Sequence, residues 1–257
     1  MSRIAILAAM PEEIAGLQSH LVLDDAATLR AEPERASREL LAGTLWDVPV
    51  VLAWTQWGKV AAAITATHVL AAYSPSAVIF TGVAGGLVPQ VAIGDVVVAD
   101  SLVQHDVDAS PIFPRHEIPL LGRSSFISDE GLRTDLAAAA GVFLAEDLPT
   151  AIPAAGAAFG IHRPQVHQGQ IASGDQFISD RSVAADLTHR LPAALCVEME
   201  GAAVAHVCHE HDVPCGVLRV VSDRADADAG TDFPAFLQQV ASGYTLGIMR
   251  RYLRGRG

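Results

Sequence analysis

Three stretches of the sequence set carboxylic acids at the point where an apolar run gives out. They are Ala8-Ala9-Met10-Pro11-Glu12-Glu13, Val197-Glu198-Met199-Glu200-Gly201-Ala202 and Arg219-Val220-Val221-Ser222-Asp223. Acids in such places suit the first turn of a helix, whose dipole favours negative charge. They also suit the crevice at a strand's carboxyl end, where open α/β sheets take ligands. Glu198 and Glu200 stand two apart, so on an extended backbone they share a face. Two enclosed like charges need hydroxyl, cationic or proton partners, and a sugar diol is one such partner. Asp223 closes its apolar run four residues after Arg219. Apolar surroundings favour the proton-bearing form of a carboxyl there, which makes Asp223 a candidate general acid.

Two further clusters carry weaker signals. Thr81-Gly82-Val83-Ala84-Gly85-Gly86 ends another apolar run with three glycines in five residues. Glycine permits close approach of backbone to a ligand, but the spacing is not that of a dinucleotide fingerprint, and the stretch reads as a turn. His206, Cys208, His209, His211 and Cys215 crowd within ten residues. The first three fall in a helical pattern in which only His206 and His209 share a face, and no second cysteine pair completes a zinc spacing. No metal is expected, and Cys208 is assigned to the core.

The elements that must position these residues follow from hydrophobic patterning. Short aliphatic runs at 3–9, 48–54, 77–81, 95–99, 166–172, 194–197 and 216–222 read as buried strands. Helical patterns lie between them at 12–21, 59–72, 129–143, 181–189, 201–211 and 233–253. The alternation predicts an α/β fold: a single domain over 1–257 with a central mixed, mostly parallel twisted sheet flanked by helices. Proline-rich stretches around Pro111, Pro114 and Pro119, and around Pro149, Pro153 and Pro164, read as long surface connections. Arg250, Arg251, Arg254 and Arg256 fall at the end of the last helical pattern, where they complement its dipole.

Composition narrows the function classes. The chain is 51% hydrophobic and 18% charged, enough for a large core and incompatible with a disordered chain. A net charge of −12 disfavours nucleic-acid partners and anionic membranes. Three cysteines in 257 residues suggest a reduced, cytoplasmic protein. No apolar run approaches the roughly 18 residues of a membrane helix. The opening residues, followed at once by Glu12 and Glu13, read as a strand rather than a secretory signal.

Taken in order, these segments resemble the 5′-methylthioadenosine/S-adenosylhomocysteine nucleosidases of the purine nucleoside phosphorylase superfamily. The resemblance runs nearly end to end. It rests most on Ser173-Gly174-Asp175-Gln176-Phe177-Ile178 and Val197-Glu198-Met199-Glu200, supported by the other stretches above and by Gly58-Lys59-Val60-Ala61-Ala62 and Gly94-Asp95-Val96-Val97-Val98. It implies hydrolysis of an N-glycosidic bond with release of adenine, by a homodimer that needs no cofactor. It places the water-activating base at Glu13, the ribose ligand at Glu200 with Met199 beside the sugar, and the acid for adenine N7 at Asp223, supported by Ser222. Arg219 falls where the attacking water is held. Phe177 falls on the base-stacking position, Ile178 where backbone reads the base edge, and Phe233 where the 5′-thio group packs. The glycine-rich stretch contributes Val83, Ala84 and Gly85, with Val83 where the family often has a hydroxyl. Trp57 replaces a smaller aliphatic residue in the 5′ pocket. Related possibilities are hydrolysis of another adenine nucleoside, such as aminodeoxyfutalosine, and a phosphate-dependent phosphorylase. Glu12 and Glu13 would repel a phosphate dianion, which favours hydrolysis. A nucleoside-binding module without turnover is the reading from another class, and the set Glu13, Glu200 and Asp223 argues against it.

Overall fold

The computed structural model describes residues 3–30 and 38–255, with the side chains of 153–155 and 231–232 excepted. The strands are β1 (Ile4–Ala8), β2 (Val22–Leu23), β3 (Leu41–Leu45), β4 (Val48–Trp54), β5 (Ala77–Phe80), β6 (Val83–Gly86), β7 (Val96–Gln104), β8 (Phe126–Ile127), β9 (Val166–Ser173), β10 (Ala194–Glu198) and β11 (Cys215–Asp223). The helices are α1 (Pro11–Gln18), α2 (Lys59–Tyr73), α3 (Glu130–Val142), α4 (Leu148–Ala151), α5 (Pro153–Ala158), α6 (Arg181–Arg190), α7 (Gly201–Glu210), α8 (Ala229–Phe236) and α9 (Ser242–Arg254). Wide π-helical turns, Phe143–Asp147 and Leu237–Ala241, join α3 to α4 and α8 to α9.

The strands form one mixed sheet in the order β2-β3-β4-β1-β5-β11-β6-β10-β9-β7-β8. Parallel pairings join β4, β1, β5 and β11 in turn. A second contact, β11 with β7, closes β11, β6, β10, β9 and β7 into a ring. The aliphatic runs are continuous because both faces of the sheet are covered. Alternate residues feed opposite cores: Ile4, Ile6, Val50, Leu52, Leu218 and Val220 enter one, and Ala5, Leu7, Val51, Ala53, Val217 and Val221 enter the other. On the flanks α2 packs on α7, and α1 and α3 pack on α9.

The structure departs from the sequence reading in identifiable places. The stretch 83–86, read as a turn, is strand β6, parallel to β11 and antiparallel to β10. Its glycines weaken the strand signal, and neighbouring strands on both sides supply the order instead. The connection around Pro149 and Pro153 is not a loop but the short helices α4 and α5, with each proline in a first turn, where its missing N–H costs nothing. The helical pattern at 233–253 begins earlier, at Ala229, and is divided by the second π turn. Arg251 does more than face a helix dipole: its guanidinium donates to both oxygens of Asp147, at 2.6 and 2.7 Å, and so ties α9 to the first π turn. Arg256 lies outside the described residues.

Candidate active site

Every residue singled out for catalysis or substrate contact lines one cavity, at the carboxyl ends of β1, β10 and β11. The cavity lies where β11 passes from its pairing with β5 to its pairing with β6.

Its floor is charged. Glu13 sits in the first turn of α1 and is buried. The N–H groups of Ala9 and Met10 donate to its Oε2 at 2.8 and 2.9 Å, and the N–H of Val83 donates to Oε1 at 3.1 Å. Burial raises its pKa above the ordinary carboxylate range, against the opposing pull of Arg219 and these three donors. The Val83 side chain, meanwhile, packs in the core. The next chain position inward must be glycine. A Cβ on Gly82 would stand 2.5 Å from Glu13 Oε1 and 2.8 Å from Arg219 Nη1, so the two groups face one small space.

Arg219 is fully enclosed, 1% exposed, with its guanidinium 4.2 Å from the centre of the Phe80 ring. Its Nη2 donates to Glu198 and lies 4.0 Å from Glu200 Oε2. Burial works against its charge, but Glu198, Glu13 and Glu200 together hold the proton more firmly than usual. Nε and Nη1 are buried without a hydrogen-bond partner among the described residues, so Nη1 is available to a ligand beside Glu13.

Glu198, which the sequence reading paired with Glu200 but gave no role of its own, is the anchor of the floor. It accepts from Ser173 Oγ, from Arg219, from the N–H of Glu200 at 3.0 Å and from the N–H of Gly201 at 2.9 and 2.8 Å. It thereby fixes both the guanidinium and the opening turn of α7. The sequence held a signal for this, since an acid just before a helix start is placed to accept the orphan N–H groups there. The expectation that Glu198 and Glu200 share a strand face is corrected. β10 ends at Glu198, the chain turns through Met199, and Glu200 stands at the N-cap position of α7 without capping it through its side chain. The two carboxylates converge because the chain bends, not because it stays extended. Glu200 accepts the N–H of Gly58 at 2.8 Å. Burial, then the neighbouring Glu198, raises its pKa, with Arg219 partly offsetting both.

Asp223, the last residue of β11, is buried. Ser222 Oγ donates to its Oδ2 at 2.8 Å and the Ala225 N–H to its Oδ1 at 2.8 Å. A Cβ on Gly85 would come within 2.9 Å of that Oδ1. The small residues of β6 thus let a strand run between the Glu13 and Asp223 carboxyls, with Ala84 beside them in the cavity wall.

The rim is aromatic. Trp57 meets Phe233 edge-on with centroids 5.7 Å apart, and Phe233 meets Phe177 edge-on at 5.6 Å. Ile178 and Met199 line the same cavity. The segment carrying Phe177 is tethered at Asp175, which accepts the Lys59 N–H at 2.7 Å and whose own N–H donates to Asp106 at 2.9 Å. The histidine and cysteine cluster lies elsewhere: His206 stacks on Phe126 at 4.7 Å and Cys208 is in the core. Among the described residues no three His, Cys, Asp or Glu groups are arranged to hold a metal ion.

Residues 3–254 match the family model described as "Phosphorylase superfamily". The chain is 35% identical to the 5′-methylthioadenosine/S-adenosylhomocysteine nucleosidase of Mycobacterium bovis, across 96% of this chain and 95% of that one. It superposes on the nucleosidase of the same name from Neisseria meningitidis, solved with methylthio-immucillin-A, with TM-score 0.84 and 28% identity over 99% of this chain and 100% of that chain. It also superposes on the futalosine hydrolase of Helicobacter pylori, with TM-score 0.81 and 32% identity over 99% and 98%.

Proposed function

The chain belongs to the 5′-methylthioadenosine/S-adenosylhomocysteine nucleosidases within the phosphorylase superfamily, and on that premise we propose that it hydrolyses the N-glycosidic bond of 5′-thio-substituted adenosines to release adenine. One observation carries the assignment of roles: Glu13, Glu200 and Asp223 surround a single cavity, each held by backbone or hydroxyl donors. Asp223, oriented by Ser222 and the Ala225 N–H, delivers a proton to N7 as the C1′–N9 bond breaks and its electron pair moves into the purine. Adenine leaves neutral. Positive charge grows on the ribose ring, and the surrounding carboxylates stabilise it. Glu200 accepts from the ribose hydroxyls, with Met199 against the sugar. Water held between Glu13 Oε1 and Arg219 Nη1 adds to C1′ and yields its proton to Glu13. Phe177 stacks on the base, and the backbone at Ile178 reads its edge.

A phosphate nucleophile fits this floor poorly. The charged residues lining the cavity are Glu13, Glu198, Glu200, Arg219 and Asp223, and the one cation among them is already paired with Glu198. Adenine release from methylthioadenosine, S-adenosylhomocysteine, adenosine and inosine, each with and without phosphate, tests the reading. Phosphate-independent release of adenine is expected. Dependence on phosphate, or release of hypoxanthine from inosine instead, would overturn it. Aminodeoxyfutalosine, the alternative adenine nucleoside, is a fifth substrate for the same assay, and the likeness to a futalosine hydrolase supports its inclusion.

The cytoplasm is the proposed location, supported by the three free, buried cysteines. A homodimer is the proposed assembly. It is supported by the apolar Val60 and Ile64 on α2 and Ile112 and Leu120 in the connection after β7, all exposed. A dimer mass in light scattering is the expected result.

A further inference from the structure

Two segments of the site are anchored on the same helix end. α2 begins with no side chain of its own accepting from its first N–H groups and no acid in its first turn. Carboxylates from other segments take that place. Glu200 accepts the Gly58 N–H at 2.8 Å, and Asp175 accepts the Lys59 N–H at 2.7 Å. The turn needs glycine: Gly58 has φ +92°, and a Cβ there would stand 3.0 Å from Asp175 Oδ1. Two adjacent peptide groups therefore set the proposed ribose carboxylate and the segment bearing Phe177 relative to one another.

The Phe177 segment has little else to hold its middle. Its start is fixed, because the Ser173 carbonyl accepts the His105 N–H at 2.8 Å and the Gly174 N–H donates to the Glu198 carbonyl at 3.1 Å. At its end Ile178 is buried. Asp175, Gln176 and Phe177 between them are exposed, so core packing does not fix them. Asp106, the residue after His105, supplies the tie. Its Oδ2 accepts the Asp175 N–H at 2.9 Å, and its Oδ1 accepts from Lys59 Nζ at 2.5 Å. Lys59 Nζ also lies 4.0 Å from Asp175 Oδ2, so one ammonium offsets the repulsion between the two aspartates. Partial burial works against the charge on Asp106, but Lys59 and the Asp175 N–H hold its carboxyl below the usual carboxylate range. A lone exposed ion pair contributes little. Here one carboxylate takes a bond from the loop backbone and another from the helix that anchors Glu200, and so fixes the loop against that helix.

Resting on the nucleosidase reading, we propose that Asp106 is a positioning residue for the purine: by joining Lys59 to the Asp175 N–H it keeps Phe177 in place over the base without touching the substrate. Kinetics with methylthioadenosine and titration calorimetry with adenine test it, in the wild type, Asp106→Ala, Lys59→Met and Lys59→Arg, each with and without Phe177→Ala. Circular dichroism checks the fold of each variant, and Lys59→Met breaks the same tie from the helix side should Asp106→Ala fold poorly. Asp106→Ala should raise KM and the adenine dissociation constant by about 5–10-fold, the scale of one lost hydrogen bond, with kcat within about 3-fold of the wild type. Lys59→Met should raise both by about 3–5-fold, and Lys59→Arg, which keeps the cation, by less than about 2-fold. Once Phe177 is replaced by alanine, Asp106→Ala should add less than about 2-fold, because the carboxylate acts through the ring. Unchanged affinity, a fall in kcat larger than the rise in KM, or losses that multiply in the double variant would each overturn the proposal and leave the nucleosidase reading in place. A wild type that binds adenine but hydrolyses no nucleoside would overturn that reading, and the calorimetry would still decide the role of Asp106.

Discussion

On the floor of the cavity the carboxylates have their donors assigned. Glu13 holds three backbone N–H groups, Glu198 holds two more together with Ser173 and Arg219, and Asp223 holds Ser222 and the Ala225 N–H. At the rim Trp57, Phe177 and Phe233 meet only edge-on, and Trp57 and Phe177 are 51% and 38% exposed. Buried charges are tolerable only when fixed and paired, so the floor is rigid and each change there leaves something unpaired. Aromatic surface carries no such requirement. The rim can vary in shape without cost to the fold, so it is the part free to choose among substrates while the floor performs the same chemistry.

That contrast can be broken by substitution, starting where the effect should be largest. Asp223→Asn keeps an acceptor for Ser222 or Ala225 but has no carboxyl proton to give. It should lower kcat by about 10³–10⁴-fold with unchanged circular dichroism. A rate near that of the wild type would mean the proton reaches adenine from another group.

Glu13→Gln should lower kcat by about 10²–10³-fold. Its amide accepts on one side only, so a buried N–H of the Ala9, Met10 and Val83 set is left facing an NH₂, at a cost of about 1–3 kcal/mol visible in urea denaturation. The pH profile separates catalysis from stability. A base with a raised pKa is ionised only above that pKa, so wild-type kcat/KM should fall as pH drops through a value higher than 4.5. The Glu13 limb should vanish in the variant. Any acid limb that remains reports Glu200, whose pKa is raised as well.

Glu198→Gln tests whether the floor is a unit. Removing the charge that faces buried Arg219 should destabilise the protein by about 3–5 kcal/mol, a fall in Tm of roughly 10 °C. It should also cut kcat by about 10–10²-fold as the guanidinium and Glu200 lose their common anchor. An unchanged Tm would show that Arg219 is held well enough by Phe80 and the other carboxylates.

The smallest effect belongs to the rim. Phe177→Ala should raise KM about 10-fold, the scale of one lost base-stacking contact, with kcat within about 3-fold of the wild type and no loss of Tm. A matching fall in kcat would place Phe177 in the chemistry and erase the distinction between rim and floor.

Much of this was legible from residue order alone. Aliphatic runs of strand length, alternating with helical periodicity, state that both faces of a sheet are covered, and β4 appears with the boundaries its sequence predicts. The acids that follow β1 and that close β10 and β11 mark strand ends, because a charge ends an apolar run wherever the chain reaches a crevice or solvent. The glycine-rich β6 was not legible as a strand, since glycine carries no side chain to declare burial, and its pairing comes wholly from β10 and β11. Nor was the role of Glu198, which depends on Ser173 and Arg219 arriving from other strands.

The sequence by itself determined which residue types stand at strand ends and how the apolar pattern divides the chain, because those depend on neighbours a few positions away. Only the tertiary structure decided that Glu13, Glu200, Arg219 and Asp223 face one cavity, that Glu198 anchors them, and that no free cation waits among its lining residues. Hydrogen bonds and charge pairs between residues as far apart as Gly58 and Glu200 are set by how strands register and turn, and linear spacing does not encode that.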